Sequence, residues 1–412
     1  MSVAELDRNA VAALADEPLD WRFKGLPPSW AGRTPAQICA DRPALFGDGP
    51  TGPVCVLRAD ALTHNLRTMA DWCRDAGVEI APHGKTHMAP QLFSRQLDAG
   101  ARGITAATIS QIRVCRAFGV SDVILANELV DPGGLRWLAG ELDRSPEFGF
   151  VCWVDSVRGV QTMAAELSNA GATRPVDVCV EVGIADGRTG CRSPAEVDDV
   201  ARAVLACPYL RLVGVAGYEA ALGHDVSAEA LSRVADFLRD MRSAVQRLTF
   251  EADEVLVTAG GSTYFDLVAE ILTGDWRTVI RSGAYLTHDH GLYRRTSPLT
   301  RAGNDGLRPA MSVWAQVTSM PEPGLALLTM GRRDVSFDQD LPLPLELPDS
   351  HVSRLNDQHA YLRLGPGDRS RVDVGTWLEF GISHPCTVFD KWQLIPVLDA
   401  DGRVVDLIRT FF

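Results

Sequence analysis

Residues 78–87 read VEIAPHGKTH, which places a short apolar strand directly before a lysine flanked by two histidines. An amphipathic run over residues 88–99 follows and predicts a helix. A lysine at the carboxyl end of a strand, if its side chain points into a cavity, can lose its proton by desolvation and attack a carbonyl group. Lysine is mostly a surface residue, so an exposed loop is the alternative interpretation of Lys85 on this stretch alone.

The strand at 78–81 begins a regular alternation of short apolar segments and longer helical ones. The predicted strands are 78–81, 103–106, 123–126, 149–154, 176–182, 212–216, 254–258 and 277–280. The predicted helices between them are 88–99, 109–118, 133–143, 156–170, 194–206, 227–247 and 263–273. Because a crossover helix must separate parallel neighbours, this alternation predicts a parallel sheet. Eight such strands favour an α/β fold closed as a TIM-type (β/α)8 barrel, with a doubly wound open sheet as the alternative.

The sequence on either side of this pattern predicts two further segments. Residues 1–52 contain five prolines between positions 18 and 43 and predict an N-terminal arm with one short helix at 4–14. Residues 53–298 are assigned to the barrel, beginning with a strand at 54–58 and a helix from Asp60 to about 76. Residues 299–412 predict a C-terminal antiparallel β domain, with a proline-rich surface loop at 341–348. Its predicted strands are 311–319, 325–329, 360–364, 376–380, 392–397 and 404–409.

Composition excludes several classes of protein. The 412-residue chain is 46% hydrophobic and 23% charged, which is ordinary for a globular protein. A net charge of -13 without a basic patch argues against a nucleic-acid partner. No 18-residue window is uninterruptedly apolar and the first twenty residues lack a secretory pattern, so we expect neither a membrane span nor export. Nine irregularly spaced cysteines without a CxxC pair fit reduced thiols in the cytoplasm.

Three loops after predicted strands carry candidate binding groups, since chemistry in such barrels belongs at the carboxyl ends of the strands. DGRTG (186–190) contains Arg188, a permanently charged planar donor; the alternative is a turn with a surface arginine. AGGST (259–263) offers backbone amides at a helix start and two hydroxyls, which suit a phosphate. A simple N-cap after a flexible turn is the alternative there. RSGAY (281–285) is a similar loop.

A fourth motif, SHPC (383–386), lies in the predicted β domain. An imidazole and a thiolate two residues apart would project to the same side of a strand. Nitrogen and sulfur together suit zinc better than magnesium or calcium. The alternative is a buried cysteine beside a structural histidine. His288, Asp289 and His290 resemble a metal triplet, but adjacent residues on an extended chain point opposite ways, so we interpret them as rim residues.

Together these residues resemble the fold-type III enzymes that use pyridoxal 5'-phosphate, the group that includes alanine racemase. The greatest similarity is to the branch of D-serine dehydratase, D-threo-3-hydroxyaspartate dehydratase and D-threonine aldolase, from about residue 53 to 412. PHGKTH resembles its cofactor-lysine motif, GRTG its arginine loop facing the pyridine nitrogen, GGST its phosphate loop, and SHPCTVFDKW (383–392) its metal motif. The resemblance implies as cofactor contacts Lys85, Arg188, Gly260, Gly261, Ser262 and Thr263, with Tyr218 and Tyr285 as further candidates, and as metal ligands His384 and Cys386.

Within this branch, dehydratases carry His-x-Cys at the metal and aldolases carry His-x-Asp, so Cys386 favours a dehydratase. The resemblance implies conversion of a β-hydroxy D-amino acid, such as D-serine, D-threonine or D-threo-3-hydroxyaspartate, to a 2-oxo acid and ammonia. Lys85 would hold the cofactor and remove the α-proton, and His83 and His87 would tune it or hold the loop. Arg188 would keep the ring nitrogen unprotonated. A divalent metal, Zn²⁺ with Mn²⁺ or Mg²⁺ as alternatives, would help the β-hydroxyl leave.

Three other activities are alternatives. A metal-dependent D-threonine aldolase is the nearest, a racemase would need a second base that the sequence does not identify, and a cofactor carrier would lack the metal motif. The resemblance also implies a homodimer whose sites lie between one subunit's barrel and another's β domain. We therefore expect Lys85 to face the His384–Cys386 pair across a shared pocket.

Overall fold

The structure is a computed structural model that describes residues 4–303 and 306–412. Two compact units divide the chain. The barrel unit comprises Met1–Asp7, Ala70–Lys85 and Gln96–Gly283, and the β unit comprises Arg8–Met69, Thr86–Arg95 and Ala284–Phe412, each in its described part. No helix within the described ranges is both long and apolar enough to cross a membrane.

Strands and α-helices alternate along the chain up to about residue 300, and strands predominate beyond it. The strands are β1 (Val54–Arg58), β2 (Glu79–Ile80), β3 (Ile104–Ala106), β4 (Asp122–Glu128), β5 (Gly149–Val154), β6 (Val176–Val182), β7 (Leu210–Gly217), β8 (Leu256–Ala259), β9 (Arg277–Ile280), β10 (Met311–Glu322), β11 (Leu325–Leu328), β12 (Leu343–Pro344), β13 (His351–Leu355), β14 (Ala360–Arg363), β15 (Trp377–Gly381), β16 (Leu394–Leu398) and β17 (Val404–Arg409). The α-helices are α1 (Arg8–Ala13), α2 (Pro35–Asp41), α3 (Ala59–Ala76), α4 (Pro90–Asp98), α5 (Ile109–Ala117), α6 (Pro132–Arg144), α7 (Val157–Asn169), α8 (Pro194–Leu205), α9 (Ala228–Arg247), α10 (Phe265–Leu272), α11 (Leu292–Thr296), α12 (Pro298–Arg301) and α13 (Cys386–Phe389).

In the described chain, eight parallel strands form the barrel, in the order β2-β9-β8-β7-β6-β5-β4-β3. The sheet closes between β2 and β3, where the Arg102 N–H donates to the Ile80 carbonyl at 2.9 Å and the Thr105 N–H donates to the Pro82 carbonyl at 2.8 Å. The predicted α/β barrel with a C-terminal antiparallel sheet is therefore confirmed. Each predicted barrel strand is present, with shifts of a few residues at most.

Apolar side chains that alternate along these strands fill the barrel, because residues two apart on a strand face the same side. The buried inner cluster consists of Ala81, Ile124, Trp153, Cys179, Val213, Ala216, Leu256 and Val279. Capped helix starts keep several strand-to-helix loops short. Thr108, Asp131, Ser156 and Ser193 each accept a backbone N–H at the start of α5, α6, α7 and α8. The side chains just beyond the strands are thereby brought to one rim of the barrel.

The β unit is built on a mostly antiparallel sheet in the order β13-β14-β11-β10-β1-β16-β17, with β15 paired to β10 and β12. Strand β1 pairs antiparallel with β10 and parallel with β16. The assignment of residues 53–298 to the barrel therefore differs from the structure, because β1 belongs to this second sheet. An isolated apolar strand does not reveal its partners, which are set by contacts distant in sequence.

The N-terminal residues are not an arm. Leu19, Phe23, Leu26 and Trp30 are buried in one cluster with residues of the β unit's strands. The prolines do interrupt regular structure, as predicted, but the apolar side chains between them complete a core. Burying a side chain of this size stabilises a fold by about 1.5–3 kcal/mol relative to its exposed state.

The proline-rich stretch 341–348 contains a two-residue strand, β12, that pairs with β15. The predicted surface loop at this position is therefore partly wrong. Proline cannot donate to a ladder and is tolerated in edge strands, which accounts for the short pairing at Pro344. Strand β13 was missed as well.

Candidate active site

Lys85 is one of three lysines in the chain, with Lys24 and Lys391, and it is the barrel unit's single lysine. It lies in a 3₁₀ turn, Gly84–Thr86, just beyond β2. The other two lysines belong to the β unit and interact with residues of that unit. Lys24 Nζ is 2.7 Å from Asp334 Oδ1 and 4.0 Å from the centre of a Trp392 ring, and Lys391 pairs with Asp390 at 3.1 Å. Lys85 is therefore the one side-chain amine that the barrel unit could offer to a covalently held cofactor.

His83 reports the charge around this lysine. Its pKa is held well below the usual value, first by burial and then by the positive charges of Lys85, Arg281 and Arg188. His83 is therefore neutral at neutral pH, and its Nδ1 has no hydrogen-bond partner among the described residues. Three cationic side chains from separate segments converge here, which suits a ligand that carries negative charge.

Arg281 is a functional candidate that sequence reasoning did not single out. It directly follows β9 and is buried, with Nη1 donating to Thr258 Oγ1 at 2.6 Å and Nη2 to the Gly217 carbonyl at 2.7 Å. In the sequence, Arg281 directly follows an apolar strand, a position that indicates the rim of a barrel. The loop that it begins was described only as similar to the predicted phosphate loop, so the arginine itself received no role. Arg281 is thus a second arginine, besides Arg188, whose positive charge acts on His83.

Arg188 and Tyr218, both predicted as cofactor contacts, are brought together. The guanidinium carbon of Arg188 lies 4.5 Å from the centre of the Tyr218 ring, a cation–π distance. The loop carrying Arg188 is held by Gly190, whose N–H donates to Asp155 Oδ2 at 3.1 Å. Gly190 has φ +99°, a conformation that favours glycine.

The predicted phosphate loop was expected to offer free backbone amides, but two of these amides are already hydrogen-bonded within the protein. The N–H groups of Gly260 and Gly261 donate to the carboxylate of Glu219 at 2.9 and 2.7 Å, and Glu219 is fully buried. These two amides therefore hold a carboxylate of the protein itself. Ser262 Oγ lies 2.9 Å from Ser282 Oγ, so two hydroxyls from adjacent loops meet beside them.

The remaining predicted contacts are placed as follows. Thr263 is buried, and its Oγ1 lies 3.1 Å from His224 Nδ1. Tyr285 is buried in the β unit, in the 3₁₀ turn Ala284–Leu286. Contact of Tyr285 with a phosphate stays a prediction.

His384 and Cys386 do not lie on a strand, contrary to expectation. His384 has a left-handed backbone, φ +63°, and Cys386 begins the short helix α13 after Pro385. Proline and a left-handed residue cannot continue a strand. The two side chains nevertheless interact. Burial disfavours protonation of His384, but Cys386 and then Asp338 outweigh this and raise the pKa of His384 to about 9.

Asp338, 46 residues before His384, orients the imidazole. Its Oδ2 accepts a hydrogen bond from His384 Nδ1 at 2.5 Å, and its Oδ1 accepts one from Thr387 Oγ1 at 2.8 Å. A metal-binding histidine usually donates its second ring N–H to a carboxylate in this way. Cys386 Sγ lies 3.4 Å from Thr86 Oγ1, the residue that follows Lys85 in the sequence. No local signal identifies Asp338, because only folding brings it to His384.

The His288–Asp289–His290 segment belongs to the β unit, where His288 and Asp289 are buried and His290 is half-buried. Burial lowers the pKa of both histidines to about 4, so both are neutral at neutral pH. Asp289 Oδ1 accepts the N–H groups of Gly291 and Tyr293, and its Oδ2 accepts the N–H of His384 at 2.9 Å. Asp289 therefore fixes the backbone of the loop that carries His384.

Comparison with known proteins identifies the family. The family described as "Alanine racemase, N-terminal domain" matches residues 57–290, more than half of the chain, and the "Putative serine dehydratase domain" matches residues 310–398. The chain is a fold-type III pyridoxal-phosphate enzyme. The predicted resemblance is thereby confirmed.

Relatives of this fold-type III enzyme include an Arthrobacter D-threonine aldolase, 28% identical over 86% of this chain and 90% of the relative. The D-threo-3-hydroxyaspartate dehydratase of Delftia sp. is 26% identical over 85% of this chain and 95% of the relative. Among solved structures, D-threonine aldolase from Filomicrobium marinum has a TM-score of 0.77 at 24% identity, covering 96% of this chain and 98% of its own, and shows the same fold. The family is of the lyase type and acts on small amino acids.

The residues present fit both groups that this family implies. For pyridoxal phosphate, the barrel supplies one lysine, two arginines beside it and paired serine hydroxyls. A side chain at Gly261 would place its Cβ 3.3 Å from Tyr218 Cε2, so glycine leaves room against that ring. For a metal, the imidazole and thiol with the Asp338 carboxylate behind the imidazole suit zinc. Among the described residues, no group of three or more histidine, cysteine, aspartate or glutamate side chains is placed to hold a metal ion.

Proposed function

We propose that this fold-type III enzyme is a pyridoxal-phosphate- and zinc-dependent dehydratase. It converts a β-hydroxy D-amino acid, such as D-serine, D-threonine or D-threo-3-hydroxyaspartate, to a 2-oxo acid and ammonia. The observation that carries the proposal is the His384–Cys386 pair, with its imidazole oriented by Asp338 at 2.5 Å.

Structures of D-threo-3-hydroxyaspartate dehydratase support the assignment of the metal ligands. One has a histidine replaced by alanine, and another has a cysteine two positions later replaced by alanine and is in a metal-free form. His384 and Cys386 have the same spacing and order. We assign them as the metal ligands of this chain on that basis.

Pyridoxal phosphate, when bound, supplies the electron sink that makes the α-proton of the amino acid removable. Lys85 would attach the cofactor and then accept that proton at Nζ, which requires an uncharged amine. Arg188 and Arg281 place positive charge on the same neighbourhood as Lys85, as their shared effect on His83 indicates. A guanidinium keeps its proton, so neither arginine would protonate a ring nitrogen beside it.

A divalent metal, when bound, supplies a Lewis acid for the β-hydroxyl. His384 would bind it through Nε2, since Nδ1 is engaged by Asp338, and Cys386 would bind it through Sγ. Asp289 would hold the loop backbone, through the His384 N–H, in the conformation that presents both ligands. Two protein ligands leave coordination positions for substrate and water.

D-Threonine aldolase is the second candidate, because an aldolase is among the relatives at an identity similar to that of the dehydratase, 28% against 26%. In that reaction the proton removed is that of the β-hydroxyl, and the Cα–Cβ bond breaks. The aldolase reaction would use the same cofactor site and the same metal site. Because the two relatives are similarly identical to this chain, sequence identity does not distinguish the two activities.

Incubation of the protein with D-threonine, pyridoxal phosphate and Zn²⁺ separates them. A dehydratase releases 2-oxobutanoate and ammonia in equal amounts, whereas an aldolase releases glycine and acetaldehyde. L-Threonine serves as the control for stereochemistry. Glycine as the main product would overturn the dehydratase assignment, and ammonia release that exhaustive chelation leaves unchanged would overturn the role of the metal.

A further inference from the structure

Two glutamates meet inside the barrel, on strands that flank β5. Glu128 ends β4, and Glu181 is the last residue but one of β6. Cys179, two residues before Glu181, belongs to the inner cluster, so Glu181 also projects into the barrel. Neither glutamate has a role in the proposed reaction.

The oxygens of these glutamates lack the partners that buried carboxylates normally have. Both carboxyl oxygens of Glu128 and Oε2 of Glu181 are buried without a hydrogen-bond partner among the described residues, and Glu181 is 4% exposed. Two carboxylates so placed cannot both remain ionised at low cost. Burial first, then the charges of Glu181 and Asp155, raises the pKa of Glu128 to about 8.

Titratable groups from several strands interact electrostatically with the pair. Asp155 follows β5 and is tied to the Gly190 N–H. Cys152 on β5 is buried, and Glu128 contributes to keeping it a neutral thiol. Arg281, after β9, has its pKa lowered by burial, and the carboxylates of Glu219 and Glu181 oppose this. Arg281 therefore interacts electrostatically with Glu181, and it acts on His83 together with Lys85.

We propose that Glu128 and Glu181 share one proton and form a charge-setting pair of the barrel. With the proton bound, the pair carries one negative charge toward Arg281. When the proton is lost to solvent, it carries two. This change alters the field at a cofactor held by Lys85, so the pair is a positioning and charge-setting device rather than a catalytic one. The second half of this inference rests on the proposed attachment of the cofactor to Lys85.

Infrared spectroscopy of the apoprotein tests the pair without the cofactor. A protonated carboxyl group has a carbonyl stretching band apart from those of carboxylates. The wild-type protein should show a buried carboxylic-acid band at pH 6 that disappears around pH 8, and Glu128→Gln should lack it. The matched control Glu141→Gln removes a barrel-unit carboxylate that is paired with Arg116 and should leave the band unchanged. Absence of the band from the wild-type protein at pH 6, or its persistence in folded Glu128→Gln, would overturn the proposal.

The absorption spectrum of the holoenzyme tests the coupling. In the wild-type protein the cofactor band should change with a midpoint near pH 8, and in Glu128→Gln this step should be lost while the cofactor stays bound. An infrared band with no matching spectral step would overturn the coupling to Lys85. A chain that shows the infrared band but binds no cofactor would instead overturn the proposed function and leave the proton-sharing pair standing.

Discussion

The barrel unit and the β unit each contain a candidate site, and the two are built on opposite electrostatic principles. In the barrel, cations converge on His83, and buried polar atoms of His83 and Glu128 lack partners among the described residues. In the β unit, the His384 side chain and backbone are both hydrogen-bonded, to Asp338 and Asp289. The barrel site concentrates unbalanced charge, whereas the His384 loop is held rigidly by carboxylates.

This difference indicates that the two sites have different functions. Unbalanced buried charge shifts proton affinities and suits a site where protons move. A prearranged loop fixes the geometry of ligands and suits a site that binds a metal. Substitutions in the barrel should therefore change spectra and pH profiles, and substitutions in the loop should change metal affinity.

The largest expected effect is that of Lys85→Ala. Loss of the barrel unit's single lysine should abolish covalent cofactor binding and lower turnover at least about a thousandfold, because attachment and proton transfer are both lost. The matched control is Lys391→Ala, which removes a lysine paired with Asp390 in the β unit. Cofactor absorbance and ammonia release are the measurements. Comparable losses in both variants would point to a general effect of removing lysine.

Removal of a proposed metal ligand should have the second-largest effect on turnover. Cys386→Ser should lower zinc-dependent turnover about a hundredfold while cofactor absorbance is retained, because the site loses its thiolate. Cys207→Ser, which changes a cysteine of the barrel unit, serves as the control. Metal content and activity would be measured together. A Cys386→Ser protein with wild-type zinc content and turnover would contradict the assignment.

Asp338→Asn should have a smaller effect and a different signature. Asparagine would hold the His384 imidazole less firmly than the Asp338 carboxylate does. Metal affinity should therefore fall about tenfold to a hundredfold, and turnover should be restored at saturating metal. The control Asp357→Asn changes an exposed carboxylate of the same unit and should leave metal affinity and turnover unchanged. Titration of activity with Zn²⁺ separates the outcomes, and a fall in turnover that excess metal does not restore would argue against a positioning role.

Glu128→Gln should have the smallest effect, and its sign depends on pH. Because the pKa of Glu128 is raised to about 8 in the folded protein, its contribution to stability is fully present below the unfolded pKa and is lost as pH rises through 8. Glutamine cannot ionise, so the variant should be more stable than the wild type at pH 9 and equally stable at pH 4. Thermal unfolding at the two pH values measures this. A variant less stable than the wild type at pH 9 would contradict the sharing of a proton.

The barrel itself was predictable because each of its strands is a short apolar run between helices, a pattern set by neighbours in sequence. Strand β1 looks the same locally, yet it pairs with β10 and β16, more than 250 residues away. Its membership in the second sheet is a long-range property. The same reason explains why residues such as Trp30 looked like part of an arm and proved to be core.

The candidate sites divide in the same way. Lys85, Arg188 and the His384–Cys386 pair stand out as motifs, so they were predicted. Arg281 gives a weak local signal, and Asp338 gives none, because their roles depend on Thr258 and His384 being brought to them by folding. The interpretation of Gly260 and Gly261 as free amides missed Glu219, whose carboxylate reaches them from the preceding loop.

The central claim is that Lys85 carries the cofactor of this lyase-type enzyme, and borohydride reduction tests it most directly. Reduction fixes a pyridoxal group covalently to its lysine, and with three lysines in the chain the modified peptide identifies the position without ambiguity. We predict one label per chain, on the peptide containing Lys85. A label on Lys24 or Lys391, or no label after incubation with pyridoxal phosphate, would contradict the account.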